Sequence, residues 1–477
     1  MVNKPNIPNI IASRYASPEM VEIWSESGKI VLEREFWIAV MKAQRELGLD
    51  IPEQAIQAYE RVKIDVNPDR IHRREQKLRH DVKARIEEFC ELAGYEHIHK
   101  GLTSRDLTDN IEQLQILRSI EFIQMKYAAC LYALSQKVGL FQAQLLSGRT
   151  HNVPAQLTTF GKRLAMFGQD MLTAFNRFRC TVTGYPLRGL KGAVGTQLDQ
   201  LTLFDGDAEK VAELEKKLAE FLGFKQLLNY VGQVYPRSLD FEVLSGLYQL
   251  GSGMSSFAKT LRIMAGFELA TEGFKKGQVG SSSMPHKMNS RSCERLNGLY
   301  IVLNGFVNMV MGLAGDQWNE GDVSCSVIRR VALPNAMFTI DAMMETFLHI
   351  VDEMEIFPAV MNAEVERYLP FLATTTILME AVKHGAGREA AHEAIKEHAV
   401  AVVRSMREKG ATENDLLTHL ANDSRIPLNM DQMLALLKDK KQFIGEAAVQ
   451  AQQFVQEVEG MISEFPEARN LTPAAML

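Results

Sequence analysis

The chain reads as an all-α protein organised round one bundle of long helices. Its 477 residues hold few runs of alternating Val, Ile or Thr, although they include 15 prolines and 23 methionines. Apolar positions instead recur every three or four residues over long stretches, the period of a helix with one core-facing stripe. Several such stretches run for 25 residues or more with no strand pattern, which is the habit of a helical bundle.

In chain order, residues 1–103 mix shorter helices with charged stretches and form an N-terminal domain. Residues 104–356 form the central long-helix domain. Its first helix is expected over 105–147, with Leu107, Ile111, Leu114, Ile120, Ile123 and Tyr127 facing the core. Thr103 and Asp106 read as a capping box at its start. Helices are also expected over 153–179, 207–222 and 238–275, the last carrying Met254, Phe257, Leu261, Met264 and Phe267. Between them, TGYPLRGLKGAVGTQLDQLTLFDG (183–206) is rich in glycine and fits a loop or short hairpin. A further stripe follows at Leu299, Val302, Phe306, Val310 and Leu313. Residues 357–477 return to shorter helices as a C-terminal domain. Helices this long are seldom found in monomers.

A formal charge of -6 gives no global field for nucleic acid or anionic lipid, so an anionic ligand needs a local basic cluster. The five cysteines, Cys90, Cys130, Cys180, Cys293 and Cys325, are scattered and form no CxxC pair. That argues against a disulfide framework or a zinc site and fits a reducing cytosol. No apolar leader and no window of membrane-spanning length is present, so the expectation is a cytoplasmic protein that binds neither membrane nor nucleic acid.

HExxH, GxxxxGK[ST], GxSxG and a strand-following GxGxxG are all missing. Four polar clusters remain: HKGLTSRDLTDN (99–110), GRTHNVPAQLTTFGKR (148–163), GLKGAVGTQ (189–197) and GSSSMPHKMN (280–289). Each combines glycine with Thr, Ser, His or Lys, the material of an anion site made from backbone N–H groups and helix N-termini. Taken alone, TSRD is an ordinary helix cap and His151 an ordinary half-buried histidine. The loop 278–291 is harder to dismiss, because a simple turn needs neither Met, His nor Lys. Beside Lys287, and near the N-terminus of a helix expected to begin at Arg291, the alkoxide of Ser281 would be stabilised enough to take a weakly acidic C–H proton. Proton loss next to a carboxylate makes an aci-carboxylate, which fixed donors and an ammonium stabilise. A histidine such as His151 can protonate the departing atom. Base, anion hole and acid together describe a β-elimination.

GSSSMPHKMN resembles the GSSxMPxKxN signature of the fumarase/aspartase superfamily, whose members eliminate fumarate from substituted succinates. SRYASPEM (13–20), RHDVKA (79–84), GLTSRDLTDN, RTHNVPAQLTTFGKR, LRGLKGAVGTQ (187–197), GQVYPRSLDFEVLS and the C-terminal LPFLAT and GREAAHE are similar to the adenylosuccinate lyase branch, essentially end to end. The resemblance implies a three-domain fumarase/aspartase-like fold, a homotetramer with a twenty-helix core, and active sites shared between subunits. It implies cleavage of adenylosuccinate to AMP and fumarate and of SAICAR to AICAR and fumarate, with no metal or organic cofactor. It further implies His151 as general acid, Ser281 as general base, Lys287 and Asn289 on the succinyl carboxylates, and Glu294 as an orienting carboxylate. Thr103, Ser104, Thr150, Gln233 and Ser282 match substrate contacts in the succinyl and amide region. Arg14, Tyr15, Arg79, His80, Asp81, Arg295, Ser326 and Arg330 match nucleotide contacts. The chain departs from this pattern at two places. Ser290 stands where proline is common, which is expected to loosen the loop. Gly321 stands where an arginine follows Trp318 and Glu320, so the missing charge must come from Arg329 or a neighbouring chain, or the phosphate must be held differently.

Overall fold

The computed structural model describes residues 7–274, 284 and 286–472. The N-terminal part folds into α1 (Ile10–Arg14), α2 (Pro18–Trp24), α3 (Glu26–Glu46), α4 (Glu53–Val62), α5 (Pro68–Leu78) and α6 (Asp81–Ala93). Then come α7 (Ser104–Leu140), the antiparallel pair β1 (Leu145–Thr150) and β2 (Val153–Thr159), α8 (Phe160–Gly184), α9 (Leu198–Leu203), α10 (Ala208–Leu222) and α11 (Ser238–Gly266). After β3 (Ala270–Thr271), α12 (Arg291–Met311) and α13 (Cys325–Glu353) complete the long helices. Next are β4 (Glu355–Ile356), which pairs with β3, α14 (Pro358–Leu372), α15 (Thr374–Lys383), α16 (Arg388–Lys409), α17 (Leu416–Ala421), α18 (Met430–Leu437) and α19 (Ala447–Ile462).

The expected all-α class holds, and α7, α8, α11, α12 and α13 pack along one another as the bundle. Their interface is aromatic as well as aliphatic: Tyr127 stacks on Phe175 at 5.7 Å between ring centres, and Phe257 meets Phe347 edge-on at 5.2 Å. One continuous core runs from Phe36 and Trp37 through Leu107, Tyr127 and Met254 to Phe347, while residues around Val365, Ile377, Ile395 and Leu416 form a second core. The last α-helix, α19, returns to the bundle. Phe454 lies so close to Gly168 of α8 that a Cβ there would come within 2.2 Å of the ring, so only glycine admits this approach.

Some element limits differ from those the sequence suggests. The helix expected over 105–147 stops at Leu140, and the one expected from 153 starts at Phe160, because 145–159 is the β1–β2 hairpin. The helix expected to reach 275 ends at Gly266, which leaves Phe267 exposed beyond the end of its stripe. Leu299 and Val310 are buried as expected on α12, whereas Val302 faces outward with Ile301. Of residues 183–206, the first two close α8 and the stretch from 185 forms a loop that leads into α9, joined to the chain after α10 by a bridge from Leu187 to Leu227. No helix among the described residues is long and apolar enough to cross a membrane.

Candidate active site

The hairpin presents His151 at its tip. His151 and Asn152 both have positive φ, 51° and 62°, and join two paired strands through a two-residue turn, the left-handed geometry that suits a tight hairpin. Thr150, His151 and Asn152 are all exposed. Below the tip, Arg149 donates to Asn152 O at 3.0 Å, pairs with Glu364 of α14, and lies over the Phe267 ring with its guanidinium carbon 4.3 Å from the centroid. Arg163 donates to Ser147 O at 3.0 Å, and burial, opposed by Glu364 and reinforced by Arg149, pushes its guanidinium down to about 10. A register shift at Gly148/Arg149 turns the strand just below the tip, as bulges beside reactive side chains commonly do.

Lys287, Asn289 and Glu294 line one cavity of about 840 Å³ together with Lys259, Arg262, Glu268, Thr271 and His286. Arg262 lies 3.8 Å from Glu294 and donates to Asn297 at 3.1 Å, so the helix α11 supplies a cation to the mouth of α12. Ser281 and Ser282 lie outside the described residues. The helix α12 begins at Arg291 as expected, but its N-terminus is already occupied. Glu272, 6% exposed, accepts the N–H of Ser292 through one oxygen and that of Cys293 through the other, each at 2.8 Å. A carboxylate seated there neutralises the helix end. Burial together with the Glu272 charge pushes the Cys293 thiol up, while the expectation that this N-terminus stabilises a Ser281 alkoxide falls on a residue outside the described ones.

Thr103 and Ser104 open α7, and the capping pair foreseen there is present. Buried Asp106 accepts the Thr103 N–H at 2.8 Å and its hydroxyl at 3.0 Å on one oxygen. Its other oxygen accepts Arg188 at 2.8 Å and the N–H groups of Lys191 and Gly192 at 3.0 Å each. Arg188 in turn donates to Gly232 O at 3.2 Å, next to Gln233. Two of the four polar clusters, the start of α7 and the GLKGAVG loop, thus converge on one buried ion pair together with the Gln233 loop. His99 was not singled out by sequence reasoning. It has φ 64°, accepts a hydrogen bond from the Trp37 indole at 3.1 Å, and lies four residues before Thr103. Burial, opposed by Asp106 and aided by His80 and Lys83, holds its imidazole down to about 4. The signal available in the sequence was its place in HKGLTSRD, one helical turn upstream of the cap.

The expected nucleotide contacts fall into two groups. Arg295 of α12 lies over the Tyr15 ring at 5.4 Å and Arg14 stands beside the same ring at 6.0 Å, so Arg14, Tyr15 and Arg295 form one cationic-aromatic surface. Asn9 donates to Asn335 at 2.7 Å and ties α1 to α13, the helix that carries half-buried Ser326 and exposed Arg330. Arg79, His80 and Asp81 occupy the corner between α5 and α6. Arg79 adopts φ 53°, His80 caps α6 by accepting the Lys83 N–H at 3.3 Å, and Asp81 pairs with Arg85 at 2.6 Å. Burial works against the Asp81 charge, yet Arg85, the Val82 N–H and His80 outweigh it and hold the carboxyl low. No hydrogen bond or ion pair among the described residues joins this corner to Arg14 and Tyr15.

Arg329 does not replace the arginine missing at Gly321. It is buried, with Nε on Asp240 at 2.7 Å and its other nitrogens on Glu112 and the Tyr235 hydroxyl. The cavity of Lys287 and Asn289 is lined by none of His151, Thr103, Ser104 or Gln233.

Two family models match the chain, one described as lyase over residues 13–305 and one as adenylosuccinate lyase C-terminus over 370–454. The adenylosuccinate lyase of Saccharomyces cerevisiae is 33% identical over 96% of this chain and 95% of its own length. That of Schistosoma mansoni is 33% identical over 94% of each chain. Among solved structures, 3-carboxy-cis,cis-muconate lactonizing enzyme from Pseudomonas putida superposes with a TM-score of 0.79 at 19% identity, covering 95% of this chain and 99% of that one. A fumarate lyase from a Mesorhizobium species gives 0.77 at 18% identity, covering 95% and 100%. The structural likenesses carry the fold alone, whereas the sequence matches cover 94–96% of the chain. On those matches, the chain belongs to the adenylosuccinate lyase family.

Proposed function

We propose that this protein eliminates fumarate from adenylosuccinate, giving AMP, and from SAICAR, giving AICAR. The observation that carries this reading is the near full-length similarity to adenylosuccinate lyases, joined to a cavity where Lys287, Asn289 and Glu294 meet. Ser281 takes the proton from the succinyl methylene carbon, and the electron pair forms first the aci-carboxylate and then the carbon-carbon double bond. The carbon-nitrogen bond breaks and His151 gives its proton to the departing nitrogen, so charge and protons balance with no redox step. Lys287 and Asn289 hold the carboxylate that carries the extra charge, where a compact ammonium is worth most. With Glu272 on the N-terminus of α12, the serine alkoxide depends on Lys287 and on the loop's own N–H groups.

Arg14, Tyr15, Arg295, Ser326 and Arg330 form the phosphate and base side of the site in this reading, and Arg79, His80 and Asp81 reach it from a second subunit. A homotetramer is supported by apolar side chains left open on neighbouring bundle helices, Ile301 on α12 and Val327 on α13, each 72% exposed. Purified protein assayed with adenylosuccinate, SAICAR and argininosuccinate tests the assignment. Release of fumarate and AMP from the first is expected, and turnover of argininosuccinate alone overturns it.

A further inference from the structure

The hairpin tip is exposed from Thr150 through Val153, and its two turn residues, His151 and Asn152, hold positive φ. Lower down the hairpin is fixed by packing. Leu157 of β2 shares the second core with Val365 and Leu369, which lie four residues apart on one face of α14. With that face turned inward, Glu364 comes to the flank of α14 that lies against β1.

Glu364 pairs there with Arg149, and the two side chains are only 12% and 13% exposed. The register shift between Gly148 and Arg149 falls at the same point. Gly148 lies so close to the other strand that a Cβ would stand 2.8 Å from the Gln156 carbonyl oxygen, so the bend that directs Arg149 is fixed by the backbone itself. From that bend one guanidinium nitrogen meets Glu364, another donates to Asn152 O at 3.0 Å, and the central carbon lies 4.3 Å from the Phe267 ring centre. Among the described residues Arg149 is the side chain that bonds the tip, and the carbonyl it holds belongs to the residue after His151. A planar guanidinium with three neighbours has little freedom left, so one rigid group ties the tip to α14.

We propose that Glu364 is a positioning residue for His151: from α14 it locks Arg149, and Arg149 fixes the turn that aims the imidazole. This rests on His151 being the general acid of the reaction proposed above. Proton transfer to a departing nitrogen needs hydrogen-bond reach, about 2.6–3.2 Å, and a misplacement of about 1 Å can cost a hundredfold. Glu364 acts through Arg149 and not on the substrate.

The test measures kcat on adenylosuccinate for Glu364→Ala, Glu364→Gln and Arg149→Lys, each made in wild type and in His151→Ala. In wild type, Glu364→Ala is expected to lower kcat about tenfold or more, and Gln, whose amide oxygen still accepts from Arg149 without the charge, about threefold. Lysine keeps the cation but offers one nitrogen where two acceptors and a ring meet a plane, so Arg149→Lys falls with Ala. In His151→Ala the same three substitutions change the remaining turnover by less than about twofold, because the imidazole they aim is gone. A loosened fold would lower both backgrounds alike. A cavity of about 980 Å³ borders Arg149 and Glu364, so water can reach the arginine freed by Glu364→Ala, and Gln carries the test if Ala fails to fold. Wild-type kcat in both Glu364 variants, or an equal loss in the two backgrounds, overturns the role of Glu364. A His151→Ala protein with wild-type turnover overturns the acid assignment and this inference with it, so the two failures are distinct.

Discussion

Glu272 holds the backbone N–H of Cys293 at 2.8 Å and so clamps the end of α11's trailing loop to the start of α12, with Lys287 and Asn289 in between. A carboxylate with an oxygen for each of two helix N–H groups is a strong cap, because both bonds are charge-assisted and the helix end is positive.

Glu272→Gln keeps the shape but has one acceptor oxygen for two donors and sets an NH2 against the other N–H. A buried donor left unsatisfied costs about 1–3 kcal/mol. Thermal unfolding should show the midpoint falling by about 1–3 °C, and a midpoint unchanged from wild type would show that the clamp carries no stability. Turnover should fall as well, through looser placement of Lys287.

Arg329→Met removes the cation from Asp240 and Glu112 and leaves both carboxylates facing a neutral side chain. Breaking a buried pair on one side costs about 3–5 kcal/mol at neutral pH. Burial opposes the Glu112 charge, but Arg329 outweighs it and holds that carboxyl low. A folded-state value below the unfolded one stabilises at higher pH and loses that contribution as pH falls. The gap between wild type and variant in thermal unfolding should therefore narrow on acidification from pH 7 toward pH 4. A gap that widens instead overturns the ion-pair account.

How much of this was legible follows from the reach of each signal. The start of α7 was read correctly because Thr103 and Asp106 are three residues apart and bond within one turn. The buried stripe Met254, Phe257, Leu261 and Met264 was read because periodicity is local. The hairpin at 145–159 was missed: Leu146, Leu157 and Phe160 are buried at spacings that a helix also allows, and the deciding feature is the left-handed pair His151–Asn152. The Glu272 clamp was missed because it joins residues 20 and 21 apart. Arg329 and Arg330 could not be told apart by type, since adjacent helix positions point about 100° apart and only packing decides which one faces inward.

His99 gives the pH dependence its sign. Its imidazole is held down to about 4 by burial, whereas an unfolded histidine titrates near the ordinary value of about 6.5. Between those values the unfolded chain binds the extra proton, so the stability that neutral His99 contributes is complete above about pH 6.5 and drains away toward pH 4. The span corresponds to about 3 kcal/mol at most. His99→Gln can still accept from the Trp37 indole but does not titrate, so its unfolding midpoint should fall less steeply than wild type across that window. Parallel curves would show that His99 is not buried in its neutral form. In turnover, the same variant separates a structural role from a chemical one, because a purely structural His99 leaves kcat near wild type at pH 7.5.

The last prediction concerns how the site is completed. His151 stands exposed at a hairpin tip, while Lys287 and Asn289 line a cavity that His151 does not reach in the same protomer. The expectation to test is that the two come from different subunits of one oligomer. Ser281→Ala and His151→Ala should each reduce kcat by at least about a hundredfold, the usual range for general acid–base groups, with KM little changed. Mixed under conditions of verified subunit exchange, the two inactive proteins should recover activity, because hybrid oligomers contain some sites that draw an intact His151 from one chain and an intact Ser281 from another. Random assembly limits the recovery to about a quarter of wild type, since each group is intact in half the subunits. Recovery that rises with exchange time supports shared sites. Exchange shown by mass or label with no recovery places both groups in one chain, and a Ser281→Ala protein that keeps a tenth of wild-type turnover removes Ser281 as the base.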